Sequence, residues 1–186
     1  MEEVFLIEPS KEYKDEFAQM VQDYEKHGEI EQFNMYKIAI DDFDSYIKSL
    51  KDKSKGSGLP EVWGNGLPEV WVLCCTYWLV NSYNKILGVI RIRKELNSEF
   101  LKNIGGHIGY DICPSHRRNG YGNLILRLGL KKAKLMNITS VLLTCLADNY
   151  SSAKVIEKNG GIFDSEIFFN ESNKFIRRYW INVEND

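Results

Sequence analysis

The segment Arg117–Gly122, with the sequence RRNGYG, constrains the fold most because it joins a strand pattern to a helix pattern. The residues before it, Ile108–Cys113, are mostly apolar and predict a strand that ends at Pro114. The residues after it, Tyr121–Met136, carry apolar side chains mostly at helical spacing. Two glycines therefore lie where the helix begins.

This junction predicts a site for an anion. The first turn of a helix leaves several backbone N–H groups without intrahelical acceptors, at the positive end of the helix dipole. Gly120 and Gly122 lack side chains, so a ligand can approach the backbone closely. Between Ile112 and Ala147 there are six Lys or Arg residues and no Asp or Glu. A phosphate or pyrophosphate is the anion that best suits these surroundings.

Two widespread phosphate loops do not fit the segment. The Walker pattern, Gly-x-x-x-x-Gly-Lys-Ser/Thr, is absent, and Ile125 occupies the third glycine position of the dinucleotide pattern Gly-x-Gly-x-x-Gly. The observed pattern is Arg-x-x-Gly-x-Gly from Arg117, preceded by Ile112-x-Pro114. It resembles the pyrophosphate loop of the GCN5-related N-acetyltransferases (GNAT superfamily). The alternative is an ordinary βαβ unit with a glycine at the start of its helix.

A second segment strengthens the resemblance. The strand-like run 141–146 leads to Asn149, and a short helix pattern over 152–160 then ends in Glu-Lys-x-Gly. This looks like the second cofactor segment of GNAT proteins, in the expected order and spacing, so the resemblance covers residues 105–182. It implies an N-acetyltransferase that uses acetyl-CoA (coenzyme A).

The resemblance also implies the fold. We expect an α+β (mixed α/β) single domain over residues 1–186, with a cofactor-binding core at about 105–160. Its mostly antiparallel sheet of about seven strands should splay at the cofactor site, with about four flanking helices. The hydrophobic patterns predict strands at 4–7, 70–81, 86–93, 108–113, 141–146, 162–169 and 175–182. They predict helices at about 10–27, 41–51, 121–136 and 152–160.

A duplication lies in the polar region 51–71. The hexapeptide GLPEVW at 58–63 recurs unchanged at 66–71, with a period of eight residues. A solenoid needs several copies of a repeat, so a tandem duplication is the simpler interpretation. We expect the second copy to lead into the strand that starts at Val70, and the first copy to be extruded as a loop.

The resemblance implies two sets of cofactor contacts. Backbone groups of Ile112 and Cys113 would bind pantetheine, and the amides of 118–122 would bind the pyrophosphate. Arg117 would either add charge or structure the loop, Asn149 would cap its helix and reach pantetheine, and Ser152 would add a contact or a cap. The predicted cofactor-binding residues are Ile112, Cys113, Arg117, Arg118, Asn119, Gly120, Tyr121, Gly122, Asn149 and Ser152.

The general base is predicted on the strand before the loop. His107 stands ten residues before Arg117, on the strand where some GNAT members carry a carboxylate base. An imidazole can remove a proton near neutral pH, directly or through water. Asp111 shares a strand face with His107 because side chains alternate along a strand. Glu69 is a weaker alternative, and a purely structural role for His107 is the other interpretation.

The general acid is where the sequence departs from the family. Many members have Tyr before Glu-Lys-x-Gly-Phe, whereas Ile156 and Gly161 stand at the Tyr and Phe positions here. Isoleucine cannot donate a proton to the leaving thiolate. Either another phenol supplies it, with Tyr110, Tyr121 and Tyr150 as candidates, or water does. A non-catalytic sensor of acetyl-CoA is the third possibility.

Charge narrows the choice of acceptor. The net charge is −2, but residues 1–52 carry fourteen acidic and six basic side chains. An acidic front half suits a cationic acceptor, and we predict a primary amine of a small molecule. A protein N-terminus or lysine is the alternative, and a solvated acidic helix pair without acceptor function also explains the charge. Nucleic acid is disfavoured, since no second basic surface is evident.

The remaining predictions concern metals and location. The four cysteines form no Cys-x-x-Cys pair and are accompanied by three histidines, so neither a zinc site nor a disulfide framework is predicted. No apolar run is long enough to cross a membrane, and no secretory leader is evident. We expect a cytoplasmic protein without a membrane partner, as a monomer or homodimer.

Overall fold

The computed structural model describes residues 3–57 and 72–183. Both copies of the duplicated hexapeptide lie outside the described residues, as do Glu69 and the predicted strand start at Val70. Within the described part, the strand that follows begins at Cys74.

Seven strands and six α-helices form the described fold, which confirms the predicted mixed α/β class. The strands are β1 Val4–Ile7, β2 Cys74–Asn81, β3 Ile86–Arg93, β4 Ile108–Ile112, β5 Ser140–Leu146, β6 Ile162–Phe169 and β7 Lys174–Asn182. The helices are α1 Lys14–Lys26, α2 Ile30–Tyr36, α3 Ile38–Asp41, α4 Phe43–Lys53, α5 Tyr121–Leu135 and α6 Tyr150–Lys158. The short helices α2 and α3 are additions to the predicted set.

The strands form two antiparallel sheets in place of one. The first sheet has the order β1-β2-β3-β4, and the second has the order β5-β7-β6. Strands β4 and β5 lie side by side, and the N–H of His107, just before β4, donates to the carbonyl of Leu142 in β5 at 2.8 Å. No regular ladder joins β4 to β5 in the described residues. The two strands therefore separate beyond His107, as the predicted splay requires.

A glycine permits the close approach at the narrow end of this gap. Gly106 has a φ of +62°, a conformation that side chains disfavour. A Cβ at this position would lie 2.7 Å from the carbonyl oxygen of Leu142. Since a contact that short is prohibitive, only glycine lets the start of β4 lie against β5.

Two hydrophobic cores cover the two faces of the sheets. On one face, α1 buries Phe17, Met20, Val21 and Tyr24, at the spacing i, i+3, i+4 and i+7 of an amphipathic helix, against Trp78. On the other face, α5 and α6 pack over both sheets. The core on that side includes Ile90, Ile108, Ile125, Val141 and Ile156.

Candidate active site

The predicted phosphate loop has the backbone geometry of an anion site. Gly120 caps the start of α5 in a left-handed conformation with φ +81°, and Arg118 also has a positive φ, 63°. Within the described part of the chain, the backbone N–H groups of Arg118, Asn119 and Gly120 have no backbone acceptor. A Cβ added to Gly120 would meet no atom within 4 Å. The loop therefore combines N–H groups that lack backbone acceptors with open space at Gly120, at the positive end of a 15-residue helix.

Arg117 structures this loop. Its Nε donates to the carbonyl oxygen of Ile112 at 3.0 Å, which ties the loop to the last residue of β4. Its two terminal nitrogens donate to the two carboxylate oxygens of Glu29, with Nη2–Oε2 at 2.8 Å. Of the two roles that the sequence left open for Arg117, the structural one therefore has direct contacts in the protein.

The free edge of β4 faces the gap between the sheets. Backbone groups of successive strand residues point to opposite sides, and two bonds show which residues face β3. Arg93 N–H donates to the His107 carbonyl at 2.8 Å, and Cys113 N–H donates to the Leu87 carbonyl at 3.0 Å. The odd-numbered residues of β4 therefore pair with β3, and the backbone of Tyr110 and Ile112 faces the gap.

This alternation bears on the predicted pantetheine contacts. Ile112 has the right orientation, although its carbonyl already accepts from Arg117. The N–H of Cys113 is engaged with β3, and its buried thiol donates to the carbonyl of Ile86 at 3.3 Å. Tyr110 is thus better placed than Cys113 to offer backbone groups to a ligand in the gap. The contact of Cys113 with pantetheine stays a prediction.

A hydroxyl pair spans the gap on the α5–α6 side. The phenol oxygen of Tyr110 lies 3.2 Å from Ser152 Oγ, in the first turn of α6. Asn149 caps that helix, since its Oδ1 accepts from the Ser152 N–H at 3.0 Å. Burial raises the pKa of Tyr110 to about 12, so the phenol keeps its proton at neutral pH. The arrangement offers a proton donor beside the gap.

His107 is held between the two sheets. It is 8 % exposed, and its Nδ1 accepts from the backbone N–H of Leu142 at 2.9 Å. Burial, together with the charge of Arg93, lowers the pKa of His107 to about 4. The neutral imidazole thus serves as a structural acceptor that joins β4 to β5. Its role as general base stays a prediction.

Asp111 belongs to a polar cluster on the face of β4 opposite to the Tyr110 side chain. Its Oδ2 accepts from the phenol of Tyr36 at 2.7 Å and forms an ion pair with Arg91. Arg91 also donates to the Tyr36 oxygen at 2.7 Å. The carboxylate is therefore shared between two donors, which leaves less of it for an acceptor amine. Its role as base also stays a prediction.

The other two candidate tyrosines lie elsewhere. Tyr150 is 64 % exposed at the start of α6, with Arg177 6.0 Å from the centre of its ring. Tyr121 is partly buried and packs against the core beneath α5. Of the three candidates, Tyr110 alone has its phenol next to Ser152 in the gap.

Comparison with known proteins decides the family. A sequence model described as an acetyltransferase (GNAT) domain matches residues 4–162, most of the chain. The chain belongs to the GNAT acetyltransferases. It is therefore an acyltransferase by family, as the loop pattern predicted. No curated protein sequence matches the chain.

Solved structures share the fold at low sequence identity. The microcin C7 self-immunity acetyltransferase MccE, in complex with acetyl-CoA and AMP, matches with a TM-score of 0.67 and 14% identity over 97% of this chain and 92% of that one. The ribosomal L7/L12 alpha-N-protein acetyltransferase RimL, in complex with coenzyme A, matches with a TM-score of 0.66 and 14% identity. The match covers 98% of this chain and 96% of that one. A spermidine N-acetyltransferase SpeG chimera from Vibrio cholerae and hSSAT matches with a TM-score of 0.57 and 13% identity. The match covers 97% of this chain and 95% of that one.

The departure from the usual GNAT pattern has a packing explanation. Ile156 is fully buried in the core beneath α6. A Cβ on Gly161 would lie 2.4 Å from the Cγ2 of Ile156 and 2.8 Å from the carbonyl oxygen of Ile156. The two residues therefore fit each other as a small–large pair, and Gly161 has no room for the ring that many GNAT proteins carry at its position.

Sequence reasoning missed three residues of the site region: Glu29, Tyr36 and Arg91. The signal available for Arg91 was a charge inside the apolar strand Ile90-Arg91-Ile92, which predicts a buried partner. Glu29 and Tyr36 gave no comparable signal, because each meets its partner through tertiary packing.

The described residues hold neither a cluster suited to a metal ion nor a helix suited to a membrane. Among residues 3–57 and 72–183, no cluster of three or more His, Cys, Asp or Glu side chains is placed to hold a metal ion. None of the helices in the described ranges is long and apolar enough to cross a membrane.

Proposed function

We propose that this GNAT protein transfers the acetyl group of acetyl-CoA to a primary amine of a small molecule, by direct attack with both substrates bound. The observation that carries the proposal is the loop at 117–122, whose first N–H groups have no backbone acceptor among the described residues, beside a splayed pair of strands. Family membership supplies the reaction class. The acceptor is inferred from charge.

The residues present fit coenzyme A. The amides of 118–120 and the start of α5 suit a pyrophosphate, and the open space above Gly120 accommodates its approach. Backbone groups of Tyr110 and Ile112 face the gap, where they suit the amides of pantetheine. MccE and RimL have acetyl-CoA and coenzyme A, respectively, in their structures.

When bound, acetyl-CoA supplies an activated acyl group and a thiol as the leaving group. The protein has to hold the amine in line and to provide a proton for the thiolate. We assign that proton to the Tyr110 phenol, which carries its proton at neutral pH and whose oxygen lies beside Ser152 Oγ. Ser152 orients the phenol. His107 and Asp111 are retained as predicted bases for the amine.

The acceptor is proposed to be cationic. Residues 1–52 carry a charge of −8, and several of their carboxylates, such as those of Glu12, Asp15, Glu31 and Asp41, are exposed. Such a surface attracts an ammonium group from solution. The SpeG chimera, which has this fold, is a spermidine N-acetyltransferase. A protein N-terminus is the second candidate, favoured by the likeness to RimL.

A screen of acceptors tests the proposal. Acetyl-CoA is mixed with the protein and with either polyamines, other small primary amines, or peptides with free N-termini and lysines, and the release of free thiol is measured. We expect turnover with small amines and little with peptides. A Gly120→Val variant serves as the control for thiol release that does not depend on the site. Turnover with peptides alone would transfer the assignment to the second candidate.

A further inference from the structure

The cofactor loop is attached to the helices on the opposite face of the sheet. Glu29, directly before α2, receives both terminal nitrogens of Arg117. Asp23, in the last turns of α1, accepts from both the backbone N–H and the hydroxyl of Ser115, at 3.0 and 2.9 Å. The turn between α1 and α2 is therefore fixed to the segment that leads into the loop.

The other end of α2 is fixed to β4. Tyr36 is the last residue of the helix, and its phenol donates to Asp111 and accepts from Arg91. A helix of seven residues is not stable by itself, so its order depends on packing and on contacts at its ends. Since Glu29 is the contact nearest its first turn, the position of α2 depends on the ion pair with Arg117.

Arg117 is in turn part of the cofactor loop. Its Nε holds the Ile112 carbonyl, and the next residue, Arg118, begins the run of exposed N–H groups. An anion that binds these N–H groups restricts the motion of the loop and therefore of the Arg117 guanidinium. The contacts form a short chain from the loop through Arg117 and Glu29 to α2.

We propose that Glu29 is a positioning residue that couples cofactor binding to the acceptor side of the enzyme. This inference rests on the proposed function, since it requires coenzyme A at the loop and an acceptor amine near Asp111, the predicted base that Tyr36 of α2 contacts. Binding of coenzyme A orders the loop, and the bidentate pair of Arg117 with Glu29 transmits that order to α2. The acceptor amine then meets Asp111 and Tyr36 in fixed positions.

Hydrogen–deuterium exchange tests the coupling without knowledge of the acceptor. Coenzyme A is added at saturation to the wild type, to Glu29→Gln and to Glu16→Gln, and exchange is measured for peptides that cover 29–36. Glu16 is a matched control: its ion pair with Lys85 has side-chain exposures of 24% and 44%, against 28% and 44% for Glu29 and Arg117. It does not contact the cofactor loop.

We expect coenzyme A to slow exchange in α2 by about fivefold in the wild type and in Glu16→Gln, a size typical of coupling between two sites. In Glu29→Gln the effect on α2 should vanish, while protection of the loop and of α5 persists. Glu29→Asp keeps the charge on a shorter side chain and should restore part of the effect. A merely structural role for Glu29 would speed exchange in α2 without making it depend on coenzyme A.

Calorimetry on the same samples separates the two proposals. If coenzyme A does not bind the wild type, the cofactor site itself is wrong. The coupling is overturned if coenzyme A binds and exchange in α2 is unchanged or faster, or if Glu29→Gln retains the full effect. Melting temperatures of the two Gln variants identify any loss of folding, and Glu29→Asp then provides the comparison.

Discussion

At the scale of single residues, burial shifts the pKa of two side chains beside the gap, Tyr110 and His107. Tyr110 lies beside the gap with its pKa raised, and it keeps its proton. His107 lies at the narrow end of the gap with its pKa lowered, and it stays neutral. In each case the low polarity of the surroundings disfavours the charged form. The neutral Tyr110 phenol is the proposed proton donor. The neutral His107 imidazole accepts the hydrogen bond that joins the two sheets.

Tyr110→Phe tests the first of these roles. Because general acid catalysis contributes roughly 10²–10⁴-fold, we expect kcat to fall by at least about tenfold when the thiolate loses its proton donor. The affinity for coenzyme A should change little, since the backbone of residue 110 is unaffected. Tyr150→Phe, at an exposed position, is the control and should keep normal turnover. An unchanged kcat in Tyr110→Phe would transfer the protonation step to water.

His107 predicts a specific dependence of stability on pH. Its pKa is about 4 in the folded protein and about 6.5 when unfolded, so the unfolded state binds the extra proton. The stabilisation is complete above pH 6.5 and is lost as the pH falls towards 4, by up to about 3 kcal/mol.

The variant His107→Gln keeps an acceptor for the Leu142 N–H but cannot titrate. Its melting temperature should fall less than that of the wild type between pH 6.5 and 4. If His107 is instead the general base, the same variant loses turnover near neutral pH with little change in stability. Thermal melts and rates on one preparation therefore distinguish the two roles.

Which residues form the site could be predicted only where local pattern decides it. The loop residues from Arg117 to Gly122 and the cap at Asn149 were predictable, because helix starts have local chemical signatures. Glu29 stands 88 residues before its partner Arg117, and no local pattern relates the two. Tyr36 and Asp111 are 75 residues apart and meet because α2 folds over β4.

At the scale of secondary-structure elements, the loop depends on the left-handed residue that begins α5. The strands and long helices agreed with prediction to within a few residues, because period-two and period-3.6 patterns are strong signals. The splay beside β4 was expected from the GNAT resemblance alone, and the division into two separate sheets was not predicted. Strands β4 and β5 are both mostly apolar, and nothing in their side-chain pattern predicts that the two strands separate. Helices α2 and α3 are too short for periodicity to detect.

Gly120→Val tests the start of α5. A β-branched residue at φ +81° is strained, and its side chain would occupy the space above the loop amides. We expect the affinity for coenzyme A, measured by calorimetry, to fall by about tenfold or more, since one blocked phosphate contact is worth over about 1.4 kcal/mol.

The control for this variant is Gly160→Val. Gly160 also has a left-handed φ, +87°, and open space around a Cβ, but it lies after the last turn of α6. It should lose a similar amount of stability while it keeps its affinity for coenzyme A. Equal affinities of the two variants for coenzyme A would contradict the placement of the pyrophosphate at the start of α5.

At the scale of the whole molecule, two cores share one set of strands. The core under α1–α4 and the core under α5–α6 both include residues of β2 and β3, such as Trp78 and Ile90. Because the first sheet has a core on each face, we propose that the chain unfolds as one domain.

The hexapeptide GLPEVW occurs twice, at 58–63 and 66–71. We expect deletion of residues 58–65, which leaves one copy of GLPEVW, to preserve both folding and binding of coenzyme A. The described residues on either side of this segment lie close together: a Cβ on Gly56 would be 3.9 Å from the Cβ of Leu73, and the Leu73 carbonyl accepts from the N–H of Lys94 at 3.0 Å. A shorter connection therefore spans the same ends without strain. Halving the connection lowers the entropic cost of closing it by about 0.6 kcal/mol, so the melting temperature should stay the same or rise slightly.

Scanning calorimetry should show one transition both in the wild type and in the deletion variant. A decrease of many degrees, or a second transition, would show that the first copy is packed into the fold.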